Sequence, residues 1–256
     1  MITLKKKEEL PIFVEGGKRL ALILEAISKK VLPGVTAGEL NDIAMKMTKD
    51  GGDLPAFMGY TPYGAKRPYP SALCVSVNDE IVHGISNEHE KIIKDGDIVS
   101  IDMGIIHKDL FLDSAVTVIA GKSDMVAKNL VKGTSEALEA GIKAIRVGGH
   151  IGDIGFAVSA VAQKYGYALA QQLAGHGVGY AVHEDPYVPN EGNEGEGDVL
   201  VPGLVIAIEP MLCEKKGAIK LDKDGYTYRT KDGGRSAHAE HTVFITEDGP
   251  VVVTRK

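Results

Sequence analysis

The chain has 256 residues, 44% of them apolar and 25% charged, which is the composition of a soluble globular protein with room for a sizeable core. Its formal net charge of −6 excludes a protein built on non-specific nucleic-acid binding, and its two cysteines exclude a disulfide scaffold or a cysteine-rich zinc module. No apolar run of signal-peptide type follows Met1 and no window approaches the ~20 apolar residues of a membrane span, so a reduced, cytoplasmic protein of one large or two small domains is expected.

In chain order, residues 10–30 predict a helix with an apolar stripe through Leu20, Ile23, Leu24 and Ile27, stopped by Pro33-Gly34. Thr36-Ala37-Gly38-Glu39 has the pattern of a capping box, and a second helix should run to about Lys49, before Gly51-Gly52. Residues 53–72 carry four prolines and three tyrosines and predict a surface loop. Strands are expected over 72–77, 98–106 and 110–119, and helices near 124–145 and 152–165. After Tyr167 the pattern is short strands and loops.

The chain echoes itself. Asp95-Gly96-Asp97-Ile98-Val99-Ser100-Ile101-Asp102 aligns without gaps to Pro202-Gly203-Leu204-Val205-Ile206-Ala207-Ile208-Glu209. Leu24-Glu25-Ala26 precedes Gly34 and Gly38 at the spacings by which Leu138-Glu139-Ala140 precedes Gly148 and Gly152. The offsets are too long for a solenoid repeat and suggest two similar αβ halves, against chance likeness of two apolar strands.

Asp102 and Asp113 flank the polar break His107-Lys108-Asp109 between two apolar runs. If that break is a hairpin turn, the two carboxylates lie roughly opposite each other, where they repel unless a proton or cation sits between them. Glu209 ends an apolar strand, Glu240 lies in Ala237-His238-Ala239-Glu240-His241-Thr242-Val243, and His176 sits among the glycines of Gly175-His176-Gly177-Val178-Gly179. Four carboxylates and one neutral imidazole carry a formal charge of −4, which two divalent cations would cancel, and oxygen-rich sites with one nitrogen suit Mn, Fe, Co or Zn. Taken singly, each acid reads as a strand-end carboxylate and each histidine as a loop residue. His89, His107, His150, His238 and His241 are left in that class.

The combination of Asn78-Asp79-Glu80-Ile81-Val82-His83-Gly84-Ile85, Ser100-Ile101-Asp102, the Asp113 strand, the His176 segment, Ala207-Ile208-Glu209-Pro210-Met211 and Glu240-His241-Thr242 resembles type I methionine aminopeptidases of the bacterial short form over essentially the whole chain. The resemblance implies the α+β "pita-bread" fold, two pseudo-symmetric αβ halves around a curved antiparallel sheet, in a single catalytic domain (1–256, halves approximately 10–120 and 125–250). It implies two divalent metals held by Asp102, Asp113, His176, Glu209 and Glu240, with Asp113 and Glu240 bridging. It implies Glu209 as general base, His83 at the scissile amide and His183 at the developing oxyanion. Tyr69, Cys74 and Tyr60 match positions of the methionine pocket. Val182 and Tyr226 stand where the family commonly has Phe and Trp, and the loop between Tyr60 and Tyr69 is longer than usual, so the pocket's size is open.

By the same resemblance the substrates are nascent chains with N-terminal Met and a small second residue, met at the ribosome by a monomer. Proline-specific aminopeptidases and dipeptidases share the ligand scheme but usually carry an extra N-terminal domain. A metal-free binding module of this fold is opposed by retention of all five ligand types.

Overall fold

The computed structural model describes all 256 residues. Two helices, α1 (Leu10–Ser28) and α2 (Ala37–Asp50), precede the first long strands, and α3 (Met125–Ala144) and α4 (Ile151–Tyr165) precede the second set. Their ends follow from side-chain chemistry. The Thr36 hydroxyl accepts from the Glu39 backbone N–H while the Glu39 carboxylate accepts from that of Thr36 at 2.7 Å, and the Asp124 carboxylate caps α3 by accepting from the Ala127 N–H at 2.7 Å. Gly166 closes α4 in the left-handed conformation that glycine adopts at least cost.

The strands are β1 (Leu54–Pro55), β2 (Cys74–Val77), β3 (Glu80–Val82), β4 (Ile98–His107), β5 (Leu110–Ile119), β6 (Ala168–Leu169), β7 (Ala174–Gly177), β8 (Glu184–Pro189), β9 (Val205–Ile208), β10 (Met211–Cys213), β11 (Ile219–Leu221), β12 (Tyr228–Thr230), β13 (Ser236–His238), β14 (Glu240–Thr246) and β15 (Gly249–Val252). The main sheet is antiparallel in the order β1-β4-β5-β14-β9-β7-β8, with β2 added to β4 and β15 to β14. Strand alternation decides what faces what. Ile101, Met103 and Ile105 point to a core built with Phe13, Leu20 and Ile27 of α1 and Leu40 of α2. Ile206, Ile208 and Val243 join Leu130, Leu138, Ile154 and Val158 of α3 and α4 in a second core. Asp102 points to the other face.

The echoing positions adopt matching backbone conformations. Gly96 and Gly203 enter β4 and β9 at φ 88° and 90°, and Gly34 and Gly148 follow α1 and α3 at φ 93° and 82°. Leu24 and Leu138 are both buried.

Two expectations need correction. The β4–β5 turn consists of Lys108 and Asp109 alone, both with positive φ, as in a two-residue hairpin turn. The register therefore pairs Asp102 with Ala115 and Asp113 with Gly104, so the two acids are diagonal neighbours on one face and not directly opposite. Residues 53–72 are not a plain surface loop. Leu54 and Pro55 pair with β4, and Ala56, Phe57, Tyr69 and Ala72 are buried, because the segment walls a pocket on the sheet's open face.

Candidate active site

Five elements bring the donors together. Asp102 lies on β4, Asp113 on β5, His176 on β7 and Glu240 at the start of β14, while Glu209 follows β9 immediately. The seam between β5 and β14 is stitched by side chains. Thr242 Oγ1 donates to the Asp113 carbonyl at 2.7 Å and accepts from its N–H at 3.0 Å, and Ser114 Oγ donates to the Glu240 carbonyl at 2.8 Å. One ligand atom each from Asp113, His176 and Glu240 falls within 4.8 Å of the others, and His176 Nε2 lies 3.5 Å from Glu209 Oε1. The His176 Nδ1 contacts the Gly177 carbonyl at 2.9 Å, which assigns the proton to Nδ1 and leaves the Nε2 lone pair facing the carboxylates. Glycine is required beside it, since a Cβ on Gly175 would meet the Ala207 carbonyl at 2.2 Å and one on Gly177 the Asp185 carbonyl at 2.1 Å.

The cluster's electrostatics ask for positive charge. Asp102 Oδ1, Asp113 Oδ1 and Glu240 Oε1 are buried with no hydrogen-bond partner. Burial, followed by the neighbouring carboxylate charges, raises Asp113 and Glu240 well above the ordinary carboxylate range, and burial pushes Asp102 up to about 7. Burial also raises Glu209. Burial and the neighbouring His183 hold His176 at about 3, so its imidazole is neutral and available as a donor. Orphaned buried oxygens, mutually repelling acids and a neutral nitrogen fit divalent metal chemistry.

Every residue singled out from the sequence lines one pocket. Asp102, Asp113, His176, Glu209 and Glu240 form its floor, His83 and His183 stand over them, and Tyr60, Tyr69, Cys74, Val182 and Tyr226 complete the wall with Phe57 and Pro62. Phe57 and Pro62 are additions, legible only as apolar residues in what reads as a loop. His83 holds a left-handed backbone at φ 59°, and burial holds its imidazole at about 3. The next residue, Gly84, is packed so closely that a Cβ would meet the Val75 carbonyl at 2.3 Å. His183 Nδ1 lies 3.0 Å from the Tyr60 hydroxyl, and its ring meets that of His176 edge-on at 4.4 Å. Although residue 183 reaches solvent at the pocket mouth, burial of its ring pushes it down to about 4. Cys74 is buried with its thiol raised well above its usual range by burial and the Asp102 charge, so it acts as a small apolar wall.

Three histidines read as loop residues lie on strands instead, His107 on β4, His238 on β13 and His241 on β14, the last with Nδ1 2.9 Å from Thr254 Oγ1. His238 is buried on β13 with Nε2 3.4 Å from Glu209 Oε2, and its spacing of two from Glu240 puts both on one face only once β13 and β14 are known to run on through Ala239. His107 is buried against Asp53, Nδ1 to Oδ1 at 2.7 Å, away from the pocket.

Residues 14–247 match the model of Metallopeptidase family M24. The chain is 44% identical to the methionine aminopeptidase of Aquifex aeolicus, covering 99% of this chain and 98% of that one. It is 37% identical to methionine aminopeptidase 1 of Bacillus subtilis over the full length of both. The crystal structure of the Thermotoga maritima methionine aminopeptidase superposes with a TM-score of 0.94 at 39% identity, covering both chains entirely. A prolidase from Pyrococcus horikoshii shares the fold at a TM-score of 0.74 and 22% identity, but only 63% of that chain is covered. No helix is long and apolar enough to cross a membrane. The chain therefore has the pita-bread fold and is a metal-dependent hydrolase that belongs to metallopeptidase family M24, among its methionine aminopeptidases.

Proposed function

We propose that this chain, as one catalytic domain, hydrolyses the first peptide bond of polypeptides that begin with Met. The reading is carried by one observation: buried carboxylates with unpartnered oxygens and the apolar side chains of Phe57, Tyr69, Cys74, Val182 and Tyr226 line one and the same pocket. An unbranched thioether side chain suits a wall of Phe57, Tyr69, Cys74, Val182 and Tyr226, which discriminates by shape and burial. Tyr226 and Val182, smaller than the family's usual residues, are offset by the Tyr60–Tyr69 loop, which adds Pro62 to the wall.

Asp102, Asp113, His176, Glu209 and Glu240 would hold two divalent ions, Co, Mn, Fe or Zn. Such ions, when bound, polarise the scissile carbonyl and lower the pKa of the attacking water. Glu209 takes the water's proton, a role served by a carboxyl that burial has made more basic. A Tyr60 O–H donated to His183 Nδ1, 3.0 Å away, would leave His183 Nε2–H as the donor to the developing oxyanion. His83, neutral and fixed by its backbone, contacts the scissile amide and assists the leaving amine. His83, His183 and Tyr60 crowd the mouth, which favours a small second residue. The natural substrates are nascent chains at the ribosome, the setting is the cytoplasm, and the working form is a monomer.

The test is release of Met from a Met-Ala-Ser peptide by protein reconstituted with Mn, Co, Fe or Zn, and its loss with a chelator. An X-Pro peptide cleaved faster than the Met peptide would return the assignment to the proline-specific branch. Glu209→Gln keeps the side chain's size and removes its basicity. It should lower kcat by about 10³-fold or more, and a rate near that of the parent would refute the base assignment.

A further inference from the structure

We propose that the buried ion pair between Lys5 and Glu184 positions the loop that carries His183 and Val182. It makes Lys5 and Glu184 positioning residues for oxyanion binding, and it rests on the assignment of His183 above.

The N-terminal segment lies along this loop. The Lys5 backbone N–H donates to the Gly203 carbonyl at 2.7 Å, which fixes the segment beside the start of β9. The Lys5 side chain is 1% exposed, and its ammonium donates to the Thr3 carbonyl at 3.0 Å and is paired with Glu184 Oε2. The other oxygen of Glu184 accepts from the backbone N–H groups of Tyr180 and Ala181, so one carboxylate ties the loop's beginning to its end. The two residues enclosed by that tie, Val182 and His183, both line the pocket.

The lysine stem also fills space. A Cβ on Gly179 would meet Lys5 Cε at 2.4 Å, and the ammonium lies 4.9 Å from the centre of the Tyr180 ring, whose hydroxyl donates to Glu9 at 2.8 Å. The loop is thus held by charge, by two backbone hydrogen bonds and by packing.

Without Lys5, the half-buried Glu184 carboxylate keeps its two amide donors but loses its counter-charge. It would turn to water, release the Tyr180 and Ala181 amides and let His183 shift, and a misplacement of 1 Å is enough to lose much of an oriented group's effect.

The experiment uses the whole metal-loaded protein, saturated with Mn and kept well below its melting temperature. Lys5→Met retains the stem and removes the charge. It should lower kcat on Met-Ala-Ser about tenfold with KM changed less than about threefold, and Lys5→Arg should recover part of the loss. In a His183→Ala background the same change should cost less than about twofold, because the group being positioned is gone. Hydrogen exchange at the Tyr180 and Ala181 amides should rise with Lys5→Met in either background.

A full tenfold loss in the His183→Ala background, or parental kcat and unchanged exchange in Lys5→Met, overturns the proposal. If His183→Ala alone keeps parental kcat, the oxyanion assignment fails, and faster exchange in Lys5→Met then still establishes the pair as the loop's anchor. Should Lys5→Met not fold, Glu184→Gln, which keeps an oxygen for the two amides, tests the pair from its other side with the same kinetic split.

Discussion

Asp102 and Asp113 sit two residues out of register on neighbouring strands, so their carboxyl groups approach along a diagonal over the Gly104 backbone. That arrangement makes the metal-free site a store of repulsion, and the repulsion has a sign in pH. A carboxyl whose pKa is raised on folding adds nothing while protonated in both states, and destabilises the fold as pH rises past its ordinary value. For metal-free protein, Asp113→Asn should therefore leave stability nearly unchanged at about pH 3, below the ordinary aspartate value. At about pH 8 it should raise stability by at least about 1 kcal/mol, read by urea unfolding in a chelator. The same variant should bind metal at least about tenfold more weakly. A benefit larger at the acid end would contradict the repulsion. Not every residue of this kind is readable in advance. Asp113 was, because an acid inside an apolar strand is costly without a partner. His238 was not, because a histidine between two alanines signals nothing until the β13 and β14 alternation is known to continue past Ala239.

At the scale of elements, the loop over residues 61–68 supplies Pro62 to the pocket wall and lies between two more of its lining residues, Tyr60 and Tyr69. Its two ends are joined by backbone hydrogen bonds, Tyr69 N–H to the Tyr60 carbonyl at 2.8 Å and Gly59 N–H to the Tyr69 carbonyl at 2.9 Å. Its far end is clamped by Arg67, whose forked guanidinium takes both oxygens of Glu88 and donates to the Asp224 carbonyl at 3.3 Å, while its own carbonyl accepts from the Tyr226 hydroxyl. Arg67 thus ties together the loops that carry the pocket-lining Pro62 and Tyr226. Arg67→Ala should raise KM for a Met peptide about three- to tenfold while kcat stays within about twofold, since pocket closure and not the reacting centre is touched. Arg67→Lys should rescue little, because an ammonium cannot make the forked contact. Steady-state kinetics decide it, and an unchanged KM would show that the loop holds itself. The helices and long strands were legible from period and caps. This wall was not, because prolines and tyrosines signal a turn-rich segment whether it faces solvent or a cavity, and only its pairing with β4 decides.

For the whole molecule, the two helix pairs and their strands meet at the β5–β14 seam, which has only two paired positions, Glu240 with Ala115 and His241 with Ser114. Donors come from both sides of it: Asp102 and Asp113 from one, His176, Glu209 and Glu240 from the other. A cation bound by the proposed donors would therefore hold the halves together. Mn at about a hundred times its dissociation constant should stabilise the fold by about 2.7 kcal/mol. It should also slow hydrogen exchange at the Asp113 amide, which now donates to Thr242 across the seam. Equal exchange with and without metal would mean that the side-chain stitching suffices alone. The halves themselves were visible in the sequence as an echo of glycines and apolar positions. The seam was not, because the pairing of strands more than a hundred residues apart leaves no local trace.

Glu240 has a further consequence, which concerns time and not space. It opens the next-to-last strand, whereas Asp102 lies before the middle of the chain. During biosynthesis the first acids emerge long before the last, so the proposed ligand set would be complete only after translation has passed residue 240. A copy terminated before Glu240 would lack one of the proposed ligands and should be inert, so no copy should trim its own leading residue while it is still being made. Any processing of Met1 must fall to a molecule already completed.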